Sequence, residues 1–240
     1  MLHSARVGDF RPSTHGLPWA NSYPVGTPVY LFETPFGPFG VPDASRGLCG
    51  GMIYTVVDLQ RAGSTSIPQT YTEPGVFNHI CRRLLQSWGL PFAWMKYWGW
   101  QNRPNRTKSI AGVPVQKGAF DLTIEEEWPK IRAKIDTAEL VPLGLVNVTG
   151  FSPLKLGLNH QVLAYGYDFD DATGEATIHI YDPNYPGDDT ATLKFNVNDL
   201  AKSEEIRIAH SCTGPTIRGV FATDYKPPKD VPEFLKAASA

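Results

Sequence analysis

The sequence predicts an α+β fold in which helices come first and an antiparallel sheet comes after them. Three observations carry this expectation. Apolar residues recur at spacings of three and four between positions 49 and 140, the period shifts towards two from 141 to 226, and the turn-forming run DDATG sits between two of the later segments. The 240 residues suit one domain of ordinary size, and no internal repeat or low-complexity tract divides them. The expected organisation is a single domain, 1–240, with a loop-rich wrap over 1–48, a mainly helical part over 49–140, an antiparallel sheet over 141–226 and a tail over 227–240.

Taken in order, positions 1–48 are dense in Pro and Gly, which forbids a long helix. The interleaved aromatics Trp19, Tyr23, Tyr30, Phe32, Phe36 and Phe39 predict that this wrap is ordered and packs on the core, because disordered segments are poor in aromatics. From Cys49 the residues Met52, Ile53, Val56, Val57 and Leu59 share one helical face, and Gly63 suits the end of that helix. A second helix is expected from Gly75 to Trp88 with Val76, Ile80, Leu84 and Leu85 inward. Trp88, Trp94, Trp98 and Trp100 come after it and are read as core rather than as a substrate wall. TIEEEWPKIRAKIDTAE gives a third helix whose acidic start suits the positive end of the macrodipole, with Pro129 marking its first turn or a break. LVPLGLVNVT, ATLKFNV and TIRGVFATDY are strand candidates, NHQVLAYGYDFDDATGEATIHIYDPN is a hairpin, and PPKDVP is an extended tail.

Composition excludes several partners. With 42% hydrophobic residues, 19% charged and a net charge of −2, the chain lacks the basic stripe that nucleic acid or an anionic membrane demands. No apolar run reaches the roughly 18 residues of a spanning helix. The start MLHSARVGDFRPSTHG lacks a charged region leading into an apolar one, so no secretory signal is expected and a cytoplasmic location is the simplest. Three widely spaced cysteines make neither a disulfide framework nor a structural zinc site.

The chemistry concentrates in two places. In RGLCGGM, Cys49 stands between glycines where a helix begins, and the N–H groups and macrodipole at a helix N-terminus favour thiolate over thiol. Gly47, Gly50 and Gly51 would let a substrate backbone approach closely. Far along the chain, His160 opens one strand of the hairpin and Asp182 ends the other. Folding about Asp171 sets His160 against Asp182, and moving the turn centre by one residue sets it against Asn184; either could accept the imidazole N–H and fix the tautomer. His160 shares parity with Val162, Ala164 and Gly166, and Asp182 with Ile180 and Ile178, so both end apolar rows where an unpaired charge would be costly. His15 and His79 have no spaced partner. His210 and Cys212 share a strand face but lack the further ligands of a metal site, and DPNYPGDD reads as a polar loop, not a calcium loop.

CGGM opening a helix, then NHQVLAYGYD and YDPN, resemble the Cys, His and Asp blocks of papain-like cysteine peptidases, closest to the bacterial C39-like branch. The resemblance covers positions 47–59 and 159–186. It implies a papain-like fold, with a helical lobe carrying the Cys, a β lobe carrying His and Asp, and a cleft between. It also implies a catalytic triad of Cys49, His160 and Asp182 that attacks amide bonds of a peptide or protein through an acyl-enzyme, with no cofactor. Acyl transfer or deamidation would use the same triad, and an inactive binding module of that fold is the alternative from another class. In that family a Gln about six residues before the Cys stabilises the oxyanion; here that position is Asp43, whose charge would repel one. Asn21 is the sole side-chain amide before Cys49, and is expected either to fold back and supply the missing donor or to stabilise a turn.

Overall fold

The computed structural model describes residues 1–27, 29–34, 37–41, 43–64, 66–87, 94–110, 113–150, 157–199 and 208–228. The chain opens with β1 (Leu2–Arg6), a single helical turn α1 (Pro12–His15) and a hairpin of β2 (Val29–Thr34) and β3 (Gly37–Val41). Helices α2 (Cys49–Arg61), α3 (Val76–Ser87) and α4 (Trp94–Gln101) come next, then a small hairpin of β4 (Lys108–Ile110) and β5 (Val113–Gln116). α5 (Ala119–Leu122) and α6 (Trp128–Asp136) lead into the sheet strands β6 (Val141–Val146), β7 (His160–Asp170), β8 (Glu175–Tyr181), β9 (Thr192–Asn196), β10 (Ile208–His210), β11 (Gly214–Ile217) and β12 (Gly219–Ala222). The architecture is α+β, as the sequence predicts, and the described sheet pairings are antiparallel.

The helices end where their chemistry dictates. α2 stops at Arg61, and Gly63 takes φ 65° so that its N–H reaches Gln60 O and the Ser64 N–H reaches Leu59 O. The third predicted helix starts earlier than expected, at Ala119, and passes through one π-helical turn, Thr123–Glu127, where the Trp128 N–H bonds Thr123 O. Pro129 explains that turn: its ring excludes the carbonyl four residues back, and a π-bulge gives it room.

The strand order is β11-β10-β9-β8-β7-β6-β12, with β1 on β7. The first half of β7 pairs β6 (Ala164 with Val141) and its second half pairs β1 (Gly166 with Arg6). TIRGVFATDY, expected as one strand, is two: β11 and β12 stand at opposite ends of the order, and Arg218 alone joins them. One residue spans about 3.5 Å, so the sheet must coil until its ends nearly meet. Arg218, 4% exposed, holds this crossing; its guanidinium donates to Asn105 Oδ1 at 2.6 Å, Val148 O at 3.0 Å and the carbonyls of Gln101 and Arg103.

β7 is buried on both faces. Val162 and Ala164 join Ile131, Ile135, Leu143, Ile178, Ile180 and Leu193 beneath α6, while Leu163 and Tyr165 join Met52, Ile53, Val56 and Ile80 of α2 and α3. Each such side chain contributes roughly 1.5–3 kcal/mol of apolar burial, so the strand that opens with His160 is among the most firmly held. A buried ionic cluster fastens the helical face. The Asp58 carboxylate accepts from His79 Nε2 at 2.7 Å, Arg83 Nη2 at 3.0 Å and Tyr225 Oη at 2.6 Å, and Arg83 lies against the rings of Tyr54 and Tyr225.

The wrap is ordered where described: Tyr23 is buried and Trp19 packs on the α2–α3 core. Phe36 and the side chains of Tyr30, Phe32 and Phe39 lie outside the described residues. Trp100 is core, with its ring 5.1 Å from that of Phe221; Trp98 is half-buried, and Trp88 and the Trp94 side chain fall outside. Of PPKDVP, only its first two residues are described, and they belong to no helix or strand. No helix among the described residues is long and apolar enough to cross a membrane.

Candidate active site

Cys49 is the first residue of α2, with its side chain partly exposed. The first helical hydrogen bond runs from Met52 N to Leu48 O at 2.9 Å, so the N–H groups of Cys49, Gly50 and Gly51 have no intrahelical partner. The glycines have a different purpose from substrate approach. A Cβ on Gly50 would collide with Ser87 Oγ and Gln161 Nε2, one on Gly51 with the Ile80 carbonyl, and one on Gly47, at φ 88°, with Asn21 Nδ2. They let the start of α2 sit tightly against α3, β7 and the Asn21 loop, which fixes where the sulfur points.

His160 begins β7, and its ring is 15% exposed. Of the two expected registers, the one that sets His160 against Asn184 holds beside the site, where Leu163 pairs with Tyr181 and Ala164 with Ile180. Residues pair as Tyr167 with Ile178 and Phe169 with Ala176, so the turn centres beyond Asp171, and an irregularity between Ala164 and Gly166 shifts the pairing by one residue. Gly166 thereby leaves the face of Val162 and Ala164, and Tyr167 and Phe169 take it over. Continued past Leu163–Tyr181, this register brings both Asp182 and Asn184 to His160.

The two then differ in role. His160 Nε2 is 2.7 Å from Asp182 Oδ1, while Asn184 donates its backbone N–H to the same oxygen at 2.8 Å and places its side-chain nitrogen 3.3 Å from His160 Nε2. Because Nε2 faces Asp182, Nδ1 is the ring nitrogen left free, and the Cys49 thiol lies near enough to favour the charged imidazole. Burial alone pushes the imidazolium pKa down; Asp182 and Cys49 outweigh it and raise it from 6.5 to about 10. Burial likewise opposes charge on Asp182, yet hydrogen bonds from His160 and His210 hold its carboxyl below the usual carboxylate range.

Asn21 does fold back beside the Cys loop. Its Oδ1 accepts the Leu48 N–H at 2.5 Å, its Nδ2 donates to Asn184 Oδ1 at 3.2 Å, and its backbone N–H bonds Pro183 O at 2.8 Å. One side chain thus ties the loop before Cys49 to the loop after Asp182. Asp43 Oδ1 accepts from Gly26 N and Ser45 N, capping the short 3₁₀ turn Ala44–Arg46.

These residues line one cleft of about 680 Å³. Its described lining holds Asn21, Asn147, Asn159, Gln161 and Asn184 but neither Lys nor Arg, and Leu48, Leu84, Leu145, Leu158 and Ile217 are among its apolar part. Three further residues here have no role in the sequence reading of the site. His210 is 3% exposed with Nε2 2.9 Å from Asp182 Oδ2. Gln161 is buried beside Gly50, and its Nε2 donates to Ser87 Oγ at 3.2 Å. Tyr97 lines the cleft with a buried hydroxyl that has no hydrogen-bond partner among the described residues. The strand parity of His210 was a usable hint, since it places a His among inward apolar residues. DPNYPGDD is a polar loop, with Asp189 accepting from the Ser13 N–H and hydroxyl at 2.9 and 2.7 Å. No group of three or more metal-ligating side chains forms among the described residues.

No family model matches the chain, and no curated protein or solved structure does either.

Proposed function

We propose that the protein is a thiol-dependent hydrolase of papain-like type, most akin to the C39-like branch, that cleaves amide bonds of a peptide or protein through Cys49, His160 and Asp182. The single observation that carries this reading is His160 held by Asp182 at 2.7 Å through Nε2, in the same cleft as a thiol at the N-terminus of a 13-residue helix. In this reading Cys49 Sγ attacks the substrate carbonyl carbon, and the new oxyanion is met by the Cys49 N–H, with the Asn21 amide as the proposed second donor. His160 gives its Nδ1 proton to the leaving amine, breaking the C–N bond and leaving a thioester. It then takes a proton from water, whose oxygen displaces the sulfur and releases the acid. No cofactor enters these steps.

The cleft supports a peptide ligand over nucleic acid, because neither Lys nor Arg stands in its described lining to meet phosphates. Three free cysteines, including exposed Cys212, support a reducing, cytoplasmic setting. One observation favours a second reading, a binding module without turnover: the Asn21 Nδ2 group is already bonded to Asn184. Deamidation or acyl transfer would use the same three groups. Iodoacetamide at pH 6 should modify Cys49 far faster than Cys81 or Cys212, and a peptide library should be cut by the wild type but not by Cys49→Ala. Equal labelling of the exposed Cys212 and Cys49 would overturn the reading.

A further inference from the structure

Asp182 is shared between two imidazoles. His160 takes Oδ1, and His210 takes Oδ2 from the opposite side at 2.9 Å. The tautomer of His210 follows from the backbone: the Cys212 N–H donates to His210 Nδ1 at 3.0 Å, so that nitrogen carries the lone pair and Nε2 carries the hydrogen that Asp182 accepts. The ring cannot change tautomer without breaking both bonds. Its seat is equally constrained. β10 pairs with β9 through His210 and Leu193, the Ser211 N–H bonds Thr192 O at 2.9 Å, and the Tyr185 ring lies 5.9 Å from the imidazole.

We infer that His210 is a positioning residue, a second histidine that locks the Asp182 carboxylate so that His160 is aimed at Cys49. This rests on the proposed thiol chemistry and deepens it. A carboxylate bonded through one oxygen can swing about its Cβ–Cγ bond, and a buried one with a bare oxygen is poorly held as an anion. Asp182 has donors on both oxygens, His160 and Asn184 N on Oδ1 and His210 on Oδ2, and its side chain is 2% exposed. Rotation would break three bonds at once. A buried histidine serving only the core would have no reason to face this carboxylate from within the cleft lining, where His210 stands. The other titratable groups about the ring are Asp188 and Tyr185 from the loop after β8 and Cys212 from its own turn.

The test needs no substrate. The rate of Cys49 alkylation by iodoacetamide is measured from pH 4 to 9 in the wild type, His210→Ala and His210→Gln, with folding checked by near-UV circular dichroism. Glutamine can place an amide N–H near the position of Nε2. His210→Ala should lower the rate at pH 6 about tenfold and move the inflection of the profile up by about one unit, the effect of losing one hydrogen bond to a charge; His210→Gln should restore most of both. An alanine variant with the wild-type profile overturns the inference, and so does equal loss in both variants, which would mark a packing role. Failure of the thiol reading is a separate result, in which wild-type Cys49 reacts no faster than Cys212.

Discussion

Replacing Asp182 by asparagine removes a charge while keeping shape, and the hydrogen-bond geometry determines how the site responds. Three donors converge on this carboxylate: His160 Nε2, His210 Nε2 and the Asn184 N–H. An amide has one acceptor oxygen, so in Asp182→Asn its NH₂ must face one imidazole N–H. His210 cannot yield, because its Nδ1 already accepts from Cys212 N. With the NH₂ on the other side, the Asn184 N–H loses its acceptor, and His160, the one donor able to adapt, moves its hydrogen to Nδ1 and can no longer take the thiol proton there. A wrong tautomer of this kind lowers turnover by about 10³–10⁴. The effect on Cys49 itself is smaller and measurable without a substrate: a cysteine of ordinary pKa, about 8.5, is only ~0.3% thiolate at pH 6, so alkylation at that pH should fall about 10²-fold. Stability should change far less, by about 1–3 kcal/mol, since volume is kept and only charge-assisted bonds are weakened. The assay is iodoacetamide labelling with peptide mass spectrometry as the readout, alongside urea unfolding of the same sample. An Asp182→Asn variant that is alkylated within threefold of the wild type at pH 6 would refute the tautomer reasoning.

Other expectations can be checked in parallel. Asn21→Ala should lower turnover by about 10²–10³ if its amide meets the oxyanion, whereas cleavage of a library peptide at the wild-type rate would leave Asn21 a loop tie only. The His160 pKa is raised from 6.5 to about 10, so its contribution to stability is full below pH 6.5 and is lost as pH climbs towards 10. Asp182 is depressed, so its contribution is full above pH 3.8 and is lost as pH falls below that. Urea midpoints should accordingly be flat between these limits and decline on both sides, and a profile still rising from pH 7 to 10 would contradict this. Gly51→Ala drives a methyl into the Ile80 carbonyl and should cost about 1–3 kcal/mol in thermal unfolding. Gly99→Ala, in a helix with open space around it, should instead be neutral or gain up to about 1 kcal/mol.

The helices were readable because their signals are local: the three-and-four spacing from Met52 to Leu59 and the stop at Gly63 both lie within one short window. Cys49, His160 and Asp182 were readable for the same reason, each sitting at the end of a periodic segment. What escaped depends on partners far along the chain. β1 is a strand only because the far half of β7 offers Ala5 a partner in Tyr167. Arg218 divides a run that looks like one strand because the sheet coils, a property of the whole sheet. The expected hairpin register missed the irregularity at Gly166, since the residue it accommodates, Tyr165, is placed by α2 and α3 packing on the other face. His210 read only as a neighbour of Cys212, because its carboxylate partner is 28 residues away. The glycines beside Cys49 were seen correctly as special, but their role is to admit Ser87, Gln161 and Ile80 rather than a substrate.

The crossing at Arg218 bears on how the protein matures on the ribosome. Cys49, His160 and Asp182 leave the exit tunnel well before residues 208–222, which supply β10, β11 and β12. Until then β6 lacks its outer neighbour, the Asp182 Oδ2 atom lacks His210, and Leu145 and His160 face a cleft without its Thr213, Thr216 and Ile217 wall. A nascent chain would thus carry Cys49 before the groups that complete its cleft. Closure of the sheet by its last strands would complete the cleft only late in synthesis.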